Sequence, residues 1–535
     1  MQVTEEMRRI VQPRGRILVG EHVEVIPVPD DIDDWTHPYY APDNNPASHD
    51  RAIRAPYLTQ FLADPRYAPA PQFTVAAGGR VFKIFGHVAW HEREEPYLNV
   101  IVAYDGFNGT QLWRYPLPEG MMVHRNVFVA TPEVLYVGDH ESCKRIDART
   151  GKVIDEIRAP AHLVDGPFWK WMALRNGVLY ALVGEKEFPD RPVKWKRKQH
   201  GWPWNQISPG FNRPEQPWGF GRTLLAFDLK TKKVLWHHRE SEPIDARAVC
   251  MNDDRLFAFR FGSFLTCLDA ASGKVLWRKD KETDAALFET LGEYLPRQSW
   301  RTNWRTVVYL KCSNDALYFA GPQLSKLVVL STSDGRVLWE DPYDNYQLII
   351  HPDALYAISG PWGVEKSKKF DPLTGKVLAE LPIGRRACTR PTATSDSILF
   401  RAMGGSVRLD LAAGQPRWIS PMRPACHDGV TIANGLLYWW PYVCDCQLSL
   451  NGVTALTSAG DFDFSPAPEA PGRLVTSTTA RQLGPEATEL DWPTFRANAE
   501  RTAVSKARVP ERAAVLWKTP TASSTERLTP PIVVG

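Results

Sequence analysis

One phrase recurs seven times along this chain, and its fixed spacing constrains the fold more than any other feature. In a full copy, Gly follows an Asp by four residues and Trp follows it by eight, as at Asp105, Gly109 and Trp113. Complete or degenerate copies of the phrase occur at Asp147, Asp228, Asp269, Gly335, Asp371 and Asp410. Self-similarity at a regular period is typical of one supersecondary unit copied many times. We therefore predict a repeat architecture.

The phrase itself predicts a β-hairpin. Asp caps a tight turn with its side chain, Gly takes the positive φ that closes it, and the flanking residues alternate as strands do. A further strand precedes each turn, and eight such strands are marked by the aromatic residues Phe82, Tyr136, Tyr180, Phe257, Tyr318, Tyr356, Phe400 and Tyr438. Four short strands per unit, repeated about eight times, predict an all-β fold. We expect an eight-bladed β-propeller of four-stranded antiparallel blades with a short α/β N-terminal tail.

The phrase Ala-x-Asp-x-x-Thr-Gly-x-x-x-Trp resembles the tryptophan-docking repeat of the PQQ-type propellers. That group includes quinoprotein alcohol dehydrogenases and a propeller lipoprotein that helps to assemble outer-membrane proteins. The resemblance covers residues 70–457 and implies that an indole of one blade packs against the next blade. The docking residues would be Trp113, Trp236, Trp277, Trp339 and Trp418.

Four departures from the phrase predict weaker contacts between some blades. Ser331 replaces a turn Asp and Lys232 replaces a turn Gly. Asp155 and Ala379 stand where two docking Trp residues are expected. The eighth unit has no such turn.

The segments around the propeller do not follow the repeat. Residues 1–30 read as a helix, a Pro/Gly turn and a strand, and resemble a late segment of the nucleotide-binding half of class I methyltransferases. The glycine-rich loop for S-adenosylmethionine would lie upstream of it, so we expect a remnant without methyl transfer. The alternative is an ordinary helix and strand packed on the propeller rim. Residues 31–69 form a leader to the first blade.

A second leader follows the propeller. Residues 458–490 are rich in Pro, Ala, Glu and Gly and predict a linker. Asp491 and Trp492 then repeat Asp34 and Trp35 of the first leader. We therefore interpret residues 491–535 as the leader of a second, truncated propeller. The overall order resembles multidomain proteins of Planctomycete-like bacteria that fuse a methyltransferase-like domain to PQQ-like propellers.

Composition excludes several classes of protein. The net charge of +3 is too small to indicate a basic surface for nucleic-acid binding. No run of 18 apolar residues exists, so no transmembrane segment is expected, and the first residues do not resemble a signal peptide. Eight cysteines are too few for a disulfide scaffold of 535 residues.

Catalysis with PQQ is the first candidate chemistry. The dehydrogenases that use this quinone are known for an adjacent cysteine pair above the cofactor and for a calcium held by acidic and amide side chains. No two cysteines are adjacent here, and no acidic cluster recurs at a suitable spacing. We therefore expect no catalytic residues and no cofactor, with PQQ and calcium as the alternative.

A basic funnel is the second candidate. The innermost strand of a blade precedes the strand that carries the aromatic residue, and cations occur there in six of the eight units. The predicted ligand-binding residues are Arg125, Lys170, Arg247, Arg305, Arg386, Arg390, Arg423 and His427. Such a ring would attract an anion. The alternative is that each cation pairs with a nearby acid such as Asp165 or Asp245.

Two further features are candidate sites. Cys388, Cys426, Cys444 and Cys446 lie in the last two units and predict a disulfide or buried thiols, with a zinc site as the alternative. The third unit carries an insert at residues 185–219 that is rich in Lys, Arg, Trp and Pro. An insert of this length is either a docking loop or a solvated rim loop.

Together these features favour a non-catalytic ligand-binding or assembly module of the cell envelope, in the periplasm. Its partner would be an anionic small molecule, a glycan or a protein. The alternative is a quinoprotein-like, PQQ-dependent dehydrogenase or an enzyme that acts on anionic sugars.

Overall fold

The architecture is taken from a computed structural model. It describes residues 3–118, 121, 123, 126–187, 200–201, 219–293, 307–321, 323–342, 345–360, 367–386, 389–420, 422–442, 452–465, 487–512, 514–519 and 531–534. Two compact units divide the chain, Met1–Asp461 and Phe462–Gly535.

The N-terminal segment forms a helix and a two-stranded sheet. These are α1 (Glu5–Ile10), β1 (Arg16–Val19) and β2 (His22–Val25). The Thr4 side chain caps the helix, and Arg8 Nε lies 2.6 Å from Glu24 Oε1 on β2. Gln12 Nε2 donates to Asp105 Oδ2 at 3.0 Å, in the turn of the first blade. This contact agrees with packing on the propeller rim, while the methyltransferase resemblance stays a prediction.

Eight antiparallel sheets, each with the four strands of a blade, confirm the predicted propeller. β3 (Tyr57–Ala63) comes from the leader and belongs to the eighth blade. The first four blades comprise β4 (Ala70–Ala77), β5 (Arg80–Ala89), β6 (Val100–Asp105) and β7 (Gln111–Pro116); β8 (Phe128–Ala130), β9 (Val134–Gly138), β10 (Cys143–Asp147) and β11 (Val153–Ile157); β12 (Phe168–Arg175), β13 (Val178–Gly184), β15 (Phe220–Asp228) and β16 (Val234–Asp245); and β17 (Val249–Met251), β18 (Arg255–Arg260), β19 (Phe264–Asp269) and β20 (Val275–Asp280). The short strand β14 (His200–Gly201), from the insert before β15, pairs antiparallel with β5 and adds a fifth strand to the sheet of the first blade.

The remaining four blades repeat the same order. They comprise β21 (Leu310–Cys312), β22 (Ala316–Phe319), β23 (Leu327–Ser331) and β24 (Val337–Asp341); β25 (Gln347–His351), β26 (Ala354–Ile358), β27 (Ser367–Phe370) and β28 (Val377–Leu381); β29 (Thr392–Ala393), β30 (Ser397–Ala402), β31 (Gly405–Asp410) and β32 (Gln415–Ser420); and β33 (Thr431–Ala433), β34 (Leu436–Trp439), β35 (Val453–Ser458) and β3. The connections include α2 (Ala285–Leu291) and the 3-10 helices Glu92–Tyr97 and Ala246–Ala248.

The eighth blade closes the ring with a strand from the leader. β3 pairs antiparallel with β35, from Tyr57 opposite Ser458 to Ala63 opposite Val453. Residues from the two ends of the propeller therefore share one sheet. The leader, predicted to introduce the first blade, thus also supplies the outer strand of the last one.

The leader also threads across all eight blades. Its backbone or side chains bond near the end of each first strand, in the pairs Trp35–Ala76, Thr36–Ala130, His37–Leu174, Pro42–Met251, Asp43–Cys312, Asn45–Ile350, Ser48–Ala393 and Asp33–Asn434. One segment reaches all eight first strands only if these strands surround a common axis, as in a propeller. The leader therefore closes the channel at the end where the first strands finish.

Four indoles pack on the turn glycine of the following blade. Each indole Nε1 also donates to a backbone carbonyl of that turn, at 2.9–3.1 Å. The pairs are Trp113–Gly151, Trp236–Gly273, Trp277–Gly335 and Trp339–Gly375. At Gly375 an added Cβ would stand only 2.4 Å from Trp339 Cδ2, and φ is 71°. Glycine is therefore required there both for φ and for the close approach of the ring.

The departures from the phrase have local structural outcomes. No atom stands within 4 Å of a Cβ built at Gly414, where Ala379 offers no ring. Trp418 is 57% exposed, because the eighth blade presents no hairpin turn of this kind to it. Phe61 of β3 instead packs on Gly109 of the first blade, 2.5 Å from an added Cβ. An aromatic residue outside the phrase therefore joins the last blade to the first.

Candidate functional site

The two ends of the channel differ in their chain connections. Because the strands are antiparallel, connections between second and third strands, and between blades, lie where the first strands begin. The longest intervals between consecutive strands are residues 185–219, 281–309 and 440–452, of which 188–199, 202–218, 294–306 and 443–451 lie outside the described residues. The other end holds short turns and the leader. Long connections carried on a rigid scaffold are typical places for function, so we treat this long-loop end as the candidate site.

Lys170, on β12, is the first predicted funnel residue at this end. Its ammonium lies 2.5 Å from Glu187 Oε1 and donates to the Glu185 carbonyl at 2.6 Å. Glu187 Oε1 also accepts from the Gly219 amide at 2.7 Å. The Lys170 and Glu187 side chains are fully buried. The lysine therefore ties both bases of the insert to the third blade.

Arg247 follows the same pattern in the fourth blade. Its Nε donates to Asp245 Oδ1 at 2.8 Å, and its Nη2 lies 2.5 Å from Oδ2. The Tyr309 hydroxyl, from the fifth blade, donates to the same Oδ2 at 2.9 Å. Arg247 is therefore paired with Asp245, which is the alternative that the sequence left open to a free funnel cation.

Asp428 organises a larger cluster where the first and eighth blades meet. Lys83 Nζ and the Thr74 hydroxyl each lie 2.6 Å from Asp428 Oδ2. Arg390, 4.4 Å from the Tyr39 ring centroid, donates to the carbonyls of Asp428 and Pro38 at 2.6 Å. Burial outweighs the attraction of Asp428 and lowers the pKa of Lys83 to about 8. The leader is thus bonded directly to a predicted funnel residue.

Three more predicted residues lie near this cluster. Arg423 is fully buried, and its Nη1 lies 3.4 Å from Cys426 Sγ. His427 is buried at a positive φ of 67°, and burial, with Arg390 nearby, lowers its pKa to about 3. Arg386 is half-buried and donates to the Met403 carbonyl at 3.4 Å. Arg423 and His427 therefore belong to the protein interior, Arg386 is only half-buried, and the ligand-binding role of all three stays a prediction.

Several predicted site residues lie outside the described part of the chain. They are Arg125, Arg305, Cys388, Cys444 and Cys446, together with most of the insert. Cys426 is buried, as are Cys143, Cys250, Cys267 and Cys312. Within the described ranges, no group of three or more His, Cys, Asp or Glu side chains is placed to hold a metal ion.

Sequence reasoning missed Lys83, Asp428 and Glu187. Lys83 is a single charge within an apolar strand, Val81 to Phe85, and that pattern signals a buried partner. Asp428 follows His427 directly, but its partner Lys83 is 345 residues away. Glu187 lies at the start of the insert, where charges usually face solvent. No local signal identified either acid as the partner of a buried cation.

The carboxylates that pair with these buried cations do not fit a calcium–quinone pair. Calcium requires several oxygen ligands that converge on one point. Glu187, Asp245 and Asp428 are each engaged by a lysine or arginine within 2.9 Å. They lie in three different pairs, and none of these pairs shares a carboxylate with another. These three carboxylates therefore provide no calcium-binding set.

A groove of about 670 Å³ lies on the outer rim, between the seventh and eighth blades. Its wall includes Trp418 and Arg417 of β32, and Tyr57 and Thr59 of β3. Arg408 also lines it and is held by Asp410. The lining residues include two arginines and no acid. This groove occurs where the docking turn is missing.

Part of this chain is similar to a known protein family. A family model described as outer membrane protein assembly factor BamB matches residues 221–440. No curated protein matches the chain at a significant level. Among solved structures, BamB from Moraxella catarrhalis is 14% identical, with coverage of 76% of this chain and 98% of that chain and a TM-score of 0.39. A europium-containing methanol dehydrogenase is 11% identical, with coverage of 79% of this chain and 98% of that chain and a TM-score of 0.47.

A computationally designed protein, Ika8, is 11% identical, with coverage of 77% of this chain and 99% of that chain and a TM-score of 0.44. The topology defines an eight-bladed β-propeller, and residues 221–440 are similar to the family described as outer membrane protein assembly factor BamB. In the parts of the chain that are described, no helix has the length and apolar character needed to span a membrane.

Proposed function

We propose that this chain is a non-catalytic binding module of the cell envelope that holds a protein partner on its outer rim. The observation that carries the proposal is the internal pairing of the channel cations Lys170, Arg247 and Arg390. The match of residues 221–440 to a family described as an outer-membrane assembly factor supports the envelope and the protein partner.

The energetics of the pairs disfavour a ligand at those cations. Removing one partner of a buried ion pair costs about 3–5 kcal/mol, because the other charge remains buried and uncompensated. An anion that displaced Glu187 from Lys170 would have to recover that amount before it contributed any affinity. It would also have to release the Gly219 amide from Glu187. A surface that is already exposed has no such cost.

The rim groove is such a surface, and its occupant is an acidic, extended segment of a partner protein. Trp418 is 57% exposed there, and a buried aromatic anchor is typical of the energetic centre of a protein interface. Arg417 is exposed, and no ion pair involves it within the described chain. Because no acid lines the groove, the complementary partner is negatively charged.

The absence of catalysis is tested by native mass spectrometry of the full chain with and without PQQ and calcium, followed by dye-linked alcohol oxidation. The expected result is an unchanged mass and no oxidation above the background without protein. A stoichiometric mass shift together with alcohol oxidation would overturn the non-catalytic proposal and favour a quinoprotein-like dehydrogenase.

The groove is tested with two fluorescein-labelled 12-residue peptides, one of alternating Asp and Val and one of alternating Lys and Val. We expect the acidic peptide to bind the full chain and Arg417→Glu to weaken binding at least about tenfold, the equivalent of ~1.4 kcal/mol. Arg336→Glu, at an exposed arginine on the fifth blade, is the matched control and should leave binding unchanged. Failure of the acidic peptide to bind, or equal binding by both variants, would refute this occupant.

A further inference from the structure

The second compact unit repeats the opening of the propeller in three dimensions. In the first leader, Trp35 forms a two-way backbone bridge with Ala76, at 2.9 and 2.7 Å. In the second unit, Trp492 forms the same bridge with Val533, at 2.7 and 2.8 Å. Each partner lies 41 residues after its Trp. Val533 therefore corresponds to a residue on the first strand of a first blade.

The backbone between these bridging residues also repeats. Positive φ values occur five and nine residues after Trp35, at Tyr40 (74°) and Asn44 (62°). They recur five and nine residues after Trp492, at Ala497 (74°) and Arg501 (59°). A positive φ is uncommon for residues other than glycine. The second unit has two more positive φ values, at Arg496 (61°) and Ala503 (57°), without a counterpart in the first leader. The two shared offsets therefore indicate a similar local chain path.

A strand signature follows at the corresponding place. Val515, Leu516 and Trp517 repeat the Val-Leu-Trp of the fourth strands β16, β20 and β24. Those strands each follow a tight turn, but no Asp-x-x-x-Gly turn precedes Val515. No such turn precedes β3 either, because no hairpin connects β3 to the third strand of its blade. Its aromatic Phe61 lies 26 residues after Trp35, and Trp517 lies 25 residues after Trp492.

Within the described residues, no sheet covers the side chains of this segment. Leu276 on β20 is 49% exposed, whereas Leu516 is 91% exposed. Trp517 is 79% exposed, whereas the corresponding Trp236 is buried against the next blade. Within the described part of the second unit, residues 514–519 form no strand pairing. A strand of this composition presents unpaired backbone groups to any compatible sheet edge.

We propose that residues 514–519 are a closing strand for a second propeller. They add, antiparallel, as the fourth strand of a blade that otherwise has three, as β3 adds to β35. The partner is therefore a three-stranded propeller blade with an open outer edge. The neighbouring blade offers Trp517 a turn glycine and a carbonyl acceptor, as Gly273 and Ala270 do for Trp236. This inference concerns a second interaction surface and is independent of the rim groove.

The test transplants the segment into the described propeller of the full chain. The seven residues 513–519 replace β3, with Trp517 aligned to Phe61, through Tyr57→Ala, Leu58→Ala, Thr59→Val, Gln60→Leu, Phe61→Trp, Leu62→Lys and Ala63→Thr. The matched control carries the same seven residues in reverse order. It has identical composition but lacks an aromatic residue at position 61. Thermal unfolding and hydrogen exchange of the β35 amides are measured for both variants.

A closing strand should complete the eighth blade in its new place. We expect the forward variant to have a melting temperature within about 3 °C of that of the parent. The reversed variant should melt at least about 6 °C below the parent, since 1 kcal/mol of stability corresponds to roughly 2–4 °C in a domain of 150–250 residues. The β35 amides should stay protected only in the forward variant. The inference would be wrong if the forward variant melted and exchanged like the reversed one. It would be wrong equally if both variants matched the parent, since the sequence would then not matter.

Discussion

Asp155 and Lys232 form an ion pair of 2.7 Å between the second and third blades, and each occupies a position that the repeat phrase gives to another residue. Asp155 stands where Trp is expected, and Lys232 stands where Gly is expected, at a positive φ of 57°. A lysine side chain fills the space that a ring would need. The two departures therefore compensate each other, and the blades are joined by a charge pair at this interface.

Restoring both residues should restore indole docking. We expect Asp155→Trp together with Lys232→Gly to raise the free energy of unfolding by about 1 kcal/mol, since a half-exposed ion pair contributes ~0.5 kcal/mol and a positive φ disfavours lysine. Asp155→Trp alone should destabilise the chain, because the indole would meet the Lys232 side chain. Urea unfolding of the parent, both single variants and the double variant measures the coupling. If the two effects simply add, the compensation does not exist.

The docking indoles should differ in energetic weight according to what they contact. Trp339 packs on Gly375 and donates to the Pro372 carbonyl at 3.0 Å, so Trp339→Ala should cost about 3 kcal/mol. Trp418 is 57% exposed and has no turn to receive it, so Trp418→Ala should cost less than about 1 kcal/mol. Urea unfolding compares them directly. Equal losses would mean that the glycine contact has no special role.

The sequence predicted the fold because the repeat phrase couples a turn to a strand at a fixed spacing. It did not predict the path of the leader, since most of those bonds go to the backbone of the first strands and leave no side-chain pattern. Lys170 lies on β12, and Arg247 and Arg390 lie just before β17 and β29, while their predicted ligand-binding role stays a prediction. Their partners were missed where they are distant, as with Asp428, or at the start of an insert, as with Glu187. Phe61 was missed because it follows no turn.

The Lys83–Asp428 pair should be a major contributor to ring closure. It joins the first and eighth blades, and both side chains are fully buried. Lys83→Met should lower the free energy of unfolding by about 3–5 kcal/mol, because Asp428 would keep a buried charge with fewer partners. Lys326→Met, which breaks a more exposed pair with Glu340, should cost at most about 1 kcal/mol. Similar losses in the two variants would show that closure does not depend on this pair.

Lys311 should make stability increase with pH above neutrality. Burial, with Arg390 nearby, lowers the pKa of its ammonium from 10.5 to about 7, although Asp43, Cys250 and Cys312 oppose the shift. Between these values the unfolded chain binds more protons than the folded chain, so the free energy of unfolding rises with pH across this window.

Lys311→Met removes this contribution, and the advantage of the parent over the variant should therefore grow between about pH 7 and about pH 9. Lys369→Met is the matched control, because an ion pair with Asp353 raises the pKa of Lys369 and places its effect above this window. Urea unfolding at the two pH values gives both differences. An advantage of the parent over Lys311→Met that stayed constant would show that Lys311 remains charged in the folded protein, since a lysine charged in both states releases no proton on folding.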